Sequence, residues 1–296
     1  MKFLDIERHS SARRPFAIAL LLALSTLTFT ACGTQFAYNR LDWLMHRYVS
    51  SQVTLDAAQS RELRAYLDEF FDWHRRHELP RYAAFLERVA DATEQPLSRD
   101  QLEIGRREVE EFMHASVSQG APDVARWLRS LRPEQVGEMF GNFAVKSRKS
   151  RAEACERDPE ERRADNVERF VDNVERWTGR LRSSQREMIA TRLAQIPLEE
   201  CGEERFAVSE RHTFREIVDE YRSRPDFAQR ITVFVTRPEN RGDAEYRRTF
   251  EANRERFLAL IVDINHSLSA EQRDRSVRRL RALAAELRAL AAEPES

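Results

Sequence analysis

Within one short stretch, His74-Arg75-Arg76-His77-Glu78, two imidazoles and a carboxylate stand three and four residues apart, a spacing that shares one helical face. Such a set could hold zinc and serve a metal-dependent hydrolase. The order is neither His-Glu-x-x-His nor its inverse, so the general-base glutamate of those proteases has no counterpart. His74 and His77 also continue an apolar stripe through Leu63, Leu67 and Phe70. The expectation is therefore a pair of histidines packed at a helix end, with no metal. The sequence has no nucleophile elbow, phosphate-binding glycine loop, Cys-x-x-Cys pair or dinucleotide fingerprint. Carboxylate pairs such as Glu110-Glu111 carry no weight in a chain of which 33% is charged. These patterns point to binding rather than catalysis.

The three cysteines hold the remaining chemistry. Lys2, Arg8, Arg13 and Arg14 precede an apolar run from Pro15 through Ala31 that ends on Cys32, the layout of an export signal. The run is shorter than the roughly 20 apolar residues that a bilayer-crossing helix needs. Phe29-Thr30-Ala31-Cys32 resembles a bacterial lipobox, with Phe29 where an aliphatic residue is usual. That resemblance implies removal of residues 1–31 by signal peptidase II. It also implies covalent diacylglycerol and N-acyl lipid on Cys32, and no other cofactor. Gly33, where aspartate would resemble the inner-membrane retention signal, implies sorting to the outer membrane, with the chain anchored on the periplasmic face. Thiols pair in an oxidising compartment, so Cys155 and Cys201 are expected to form a disulfide. It would close a loop of about 47 residues and contribute about 4 kcal/mol.

Loss of the leader removes four basic and two acidic groups and takes the formal net charge from −1 to −3. Nucleic-acid binders carry a basic excess, so no nucleic-acid partner is expected. About 265 residues remain, enough for one large or two modest domains.

Elements that must position these residues read as helices throughout, because glycine is scarce and alternating apolar-polar runs are almost absent. Helical stripes recur at Tyr246, Phe250, Phe257, Ile261 and Ile264, and at Val277, Leu280, Leu283, Leu287 and Leu290. A seven-residue repeat over 165–177 places Val167, Phe170, Val174 and Trp177 on one seam. Leu-x-x-x-Gln occurs at Leu55, Leu97, Leu131, Leu181 and Leu268. In the copies with Ser98 and Ser269 the serine caps an amide and the glutamine reaches back, a helix start. Pro133 and Gly179 support starts near the third and fourth copies. Helices are expected near 35–51, 55–78, 80–94, 98–119 and 122–131, with seven more between 133 and 292. The fold class is all-α, a multi-helix bundle with short connections: a lipidated N-terminus at 32–34, then a helical domain over 35–296 with a soft division within 146–165. The basic group Lys146, Arg148, Lys149 and Arg151 reads as a solvated loop, with anionic lipopolysaccharide or phospholipid headgroups as the alternative contact. Tyr38, Trp43, Tyr48, Tyr66, Phe70, Phe71 and Trp73 cluster near the lipidated end; core packing is their ordinary use, and an exposed remnant suits partner or membrane contact.

Two resemblances follow from these segments. Tyr38-Asn39-Arg40-Leu41-Asp42-Trp43 and Trp73-His74-Arg75-Arg76-His77-Glu78-Leu79-Pro80-Arg81-Tyr82, behind a lipobox, resemble a proteobacterial lipoprotein family of unknown function. This implies an exported helical lipoprotein of the cell envelope, with an envelope protein as partner, and transfers no catalytic residue. The Leu-Ser-x-x-Gln copies at Leu97 and Leu268 are similar to the Leu-Thr-x-x-Gln signature of the Spy and CpxP stress chaperones. That likeness implies a periplasmic chaperone or envelope-stress role, although serine replaces threonine and capping alone explains the motif.

Overall fold

The structure, a computed structural model, describes residues 31–196 and 205–293. The expected leader over 1–30 and Cys201 lie outside the described residues. Among the described residues the chain forms eleven α-helices, one 3-10 turn and no strand. The helices are α1 (Ala31–Tyr38), α2 (Leu41–Ser50), α3 (Ala57–Thr93), α4 (Arg99–Ser130), α5 (Pro133–Cys155) and α6 (Pro159–Thr178). They continue as α7 (Ser183–Ala194), α8 (Arg205–Tyr221), α9 (Phe227–Thr236), α10 (Ala244–Ser267) and α11 (Ala270–Ala291).

Two expected breaks are absent, and one unexpected break is present. Pro80 lies inside α3 and Pro122 inside α4, so each expected pair of helices is a single rod. A mid-helix proline deletes a backbone hydrogen bond and costs about 3 kcal/mol. Here the flanking residues are held by burial: Leu79 and Ala83 lie in one core, Ala121 and Ala125 in another. At Asn39-Arg40, by contrast, the expected helix over 35–51 divides into α1 and α2. Arg75 Nη2 donates to Asn39 Oδ1 at 2.6 Å, and Asn39 Nδ2 donates to Glu293 at 3.3 Å, so tertiary bonds hold that turn.

α3, 37 residues and about 55 Å long, is the spine. Its first half buries Leu63 and Leu67 with Trp127 and Leu128 of α4, Phe140 of α5, Val218 of α8 and Phe227 of α9. Its second half lies antiparallel to α11, with Leu79 and Ala83 against Leu283, Ala284, Leu287 and Leu290. Ion pairs from Arg288 to Glu87 and from Arg281 to Asp91 and Glu94 flank this seam. A third core joins α6, α7 and α10 through Val171, Ile189, Leu260 and Ile264, with Val167, Phe170 and Val174 partly buried against it.

The Leu-x-x-x-Gln segments do more than begin helices. Gln101 N–H donates to Ser98 Oγ at 3.2 Å and Ser98 N–H donates to Gln101 Oε1 at 2.8 Å; Ser269 and Gln272 make the same box. Four of the glutamines also pair across helices. Gln59 and Gln135 exchange side-chain amide bonds at 3.0 and 2.7 Å while donating to Ser130 O and Thr54 O. Gln185 and Gln272 repeat this at 3.0 and 3.1 Å, donating to Ser267 O and Arg180 O. Each buried amide thus satisfies both itself and a carbonyl of a neighbouring segment: Ser130 O and Ser267 O at helix ends, Thr54 O and Arg180 O in loops.

Candidate functional site

α3 carries His74 and Glu78 one turn apart on its buried side and His77 on its exposed side. His74 is only 5% exposed and Glu78 only 1%. The imidazole sits between two phenols: Tyr38 Oη lies 2.9 Å from Nδ1 and Tyr82 Oη 3.3 Å from Nε2. Tyr82 Oη continues to Ser116 Oγ of α4 at 3.1 Å. Phe70, Trp73 and Tyr82 pack around the ring. Arg81 donates to Glu78 Oε1 at 2.6 Å, while the buried Oε2 has no hydrogen-bond partner.

Burial sets the electrostatics of this cluster. It pushes the His74 imidazole down to about 4 and both phenols up, Tyr82 to about 12. At neutral pH the imidazole is neutral, so one ring nitrogen donates and the other accepts, completing a chain from Tyr38 to Ser116. His77 stands apart: it stacks on Trp73 with ring centroids 5.7 Å apart, and its Nδ1–H donates to Trp73 O at 3.0 Å. The three expected zinc candidates therefore do not converge. Among the described residues no group of three or more His, Cys, Asp or Glu is placed to hold a metal ion.

Above this cluster lies the surface that follows Cys32. Arg75 clamps it, donating to Asn39, to Leu290 O at 3.2 Å and to Glu293 at 3.1 Å, with its guanidinium 5.1 Å from the Tyr38 ring. α2 turns Met45 and Val49 inward against the α3–α4 core. Away from the core it exposes Trp43, Leu44 and Tyr48, of which Leu44 and Tyr48 stand at i, i+4, joined by Phe36 of α1. These four are 47 to 62% exposed. Arg40 lies over Phe36 at 4.4 Å, Arg47 over Trp43 at 5.5 Å and Lys146 of α5 over Tyr48 at 5.0 Å. The aromatic residues grouped in the sequence thus divide: Tyr38, Phe70, Phe71 and Trp73 pack around His74, whereas Trp43 and Tyr48 face outward.

A shallow groove of about 360 Å³ lies between α7 and α10, lined by Arg182, Met188, Arg192, Asp263 and His266, with Arg192 and Asp263 paired at 2.6 Å. Cys155, at the end of α5, is disulfide-bonded. Cys32 falls within the first turn of α1. Among the described residues no helix is long and apolar enough to cross a membrane. Sequence reasoning missed the hydrogen-bonded chain through His74, since Tyr38, Tyr82 and Ser116 come from α1, α3 and α4. It also missed Arg75, which stands between the two singled-out histidines.

A family model described as a family of unknown function, DUF6279, matches residues 51–247. The match includes the Trp73–Tyr82 segment and begins after Tyr38–Trp43. No curated protein and no solved structure matches the chain.

Proposed function

The chain belongs to the family of unknown function DUF6279, and on that premise we propose that it is an outer-membrane lipoprotein of the periplasmic face, acting as a non-enzymatic binding or scaffold protein of the cell envelope. The observation that carries this reading is a basic-then-apolar leader ending on Cys32, immediately ahead of a helical body. In this reading a diacylglycerol and an N-acyl chain on Cys32 supply more than one hydrocarbon chain, which makes anchoring stable without a transmembrane helix. Cys155 pairs with Cys201 in the oxidising compartment. His74 and Glu78 serve the architecture: both imidazole nitrogens are bonded to Tyr38 and Tyr82, and one Glu78 oxygen accepts from Arg81, with both residues buried. The partner is an envelope protein.

Cys32→Ser tests the anchor. Unprocessed precursor is the expected product, and a cleaved chain that still fractionates with the outer membrane would overturn the reading. In-cell crosslinking then separates the two binding roles. One dominant partner at defined sites supports a scaffold; a broad spread of partly folded exported clients supports a chaperone similar to Spy and CpxP. The Leu-Ser-x-x-Gln helix starts at Leu97 and Leu268, both formed as capping boxes, favour that second reading.

A further inference from the structure

We infer that the outward face of α1 and α2 is seated in the headgroup layer of the bilayer that holds the anchor, so that the membrane fixes the orientation of the helical body as well as its address. The inference rests on the anchor proposed at Cys32.

Three observations carry it. First, the face is built to be apolar outward: α2 spends Met45 and Val49 on the core and still exposes Trp43, Leu44 and Tyr48 away from it. Amphipathic helices of water-facing surfaces place charge there. Second, the exposed side chains are of the interfacial kind. Tryptophan and tyrosine favour the boundary between hydrocarbon and water, where one end of the ring is apolar and the other wet. Third, the face carries matching charge and continues from the acceptor. Arg40, Arg47 and Lys146 lie over its rings, which places cations at headgroup level beside phosphates. Lys149 follows one turn beyond Lys146 on α5. Asp42 on α2 is half-buried and lies near Asp68 and Asp72 of α3, of which Asp68 is exposed. Phe36 follows Cys32 by one turn of α1, about 6 Å of helical rise. Acyl chains on Cys32 would therefore bring a bilayer to this face before any soluble partner reached it.

The test uses the full lipidated protein reconstituted into phosphatidylethanolamine–phosphatidylglycerol vesicles, with and without brominated acyl chains that quench nearby tryptophan. Trp43 is one of four tryptophans, so bromine should remove about a quarter of the emission. Trp43→Phe, which keeps an aromatic ring on the face, should abolish most of that loss. Protein that floats with the vesicles but shows no Trp43-dependent quenching would overturn the seating while leaving the anchor intact. Protein that fails to float would overturn the anchor and the seating together. A photoreactive residue at position 48 that captures a discrete protein in place of lipid would assign the face to a protein partner and overturn the inference.

Discussion

The imidazole of His74 should make the fold lose stability across a pH range in which its carboxylates are still ionised. Its pKa falls from an ordinary 6.5 to about 4 because burial penalises the charged ring. Between those values the unfolded chain binds a proton that the folded chain refuses, so protonation favours unfolding. Stability from this group is complete above about pH 6.5 and declines as pH falls toward about 4. The full loss is about 3 kcal/mol at 1.36 kcal/mol per unit, of which about 2 kcal/mol is spent by pH 5. With a urea m-value of about 3 kcal/mol/M for a chain of this size, the midpoint should drop by roughly 0.7 M between pH 7.5 and pH 5. Carboxylates held down by arginine, such as Glu103 at about 2, contribute their losses at lower pH and leave this window clear. The control is His74→Gln, which cannot titrate. It should cost about 1 to 2 kcal/mol at neutral pH through weakened bonds to Tyr38 and Tyr82, and should flatten the profile between pH 5 and 7. Urea unfolding followed by circular dichroism at several pH values measures both. Parallel profiles for the two proteins would refute the argument that burial of His74 is paid for only in the neutral form.

Two further perturbations test how the helix starts and ends are made. Gln59→Leu should destabilise by about 2 to 3 kcal/mol, because it removes the bonds of Gln59 to Gln135, to Ser130 O and to Asp56 N–H; a double-mutant cycle with Gln135→Leu should show coupling of about 1 kcal/mol or more. Gly179 ends α6 at φ +81°, and a Cβ there would meet Arg275, so Gly179→Ala should lower stability by about 1 to 2 kcal/mol in thermal or urea unfolding.

Helical class and most helix positions were legible because apolar spacing and capping chemistry are local. The stripe through Leu63 and Leu67 is buried, as are Val277, Leu283, Leu287 and Leu290 of α11. Pro80 and Pro122 misled because their penalty is local, whereas the compensation is tertiary: Ala83 shares a core with Ala284, and Ala121 and Ala125 share one with Phe227 and Ile231 of α9. The candidate triad was legible only as a list. Spacing placed His74, His77 and Glu78 along one side of α3, yet His77 and Glu78, three and four residues from His74, flank it on opposite sides, and His77 falls on the solvent edge. The reciprocal glutamine pairs were half legible: each motif announced its own cap, but nothing in a five-residue pattern tells which distant copy it will meet.

The seam between α3 and α11 also dictates the order in which the molecule can be finished. Arg288 meets Glu87 across 201 residues of sequence, and Leu79 and Ala83 wait for side chains near position 290. That wait lasts as long as the intervening 201 residues take to emerge. Throughout it the longest helix carries an open apolar stripe over its second half, so the chain cannot close stepwise from its beginning and depends on its last helix to complete a surface begun near its first.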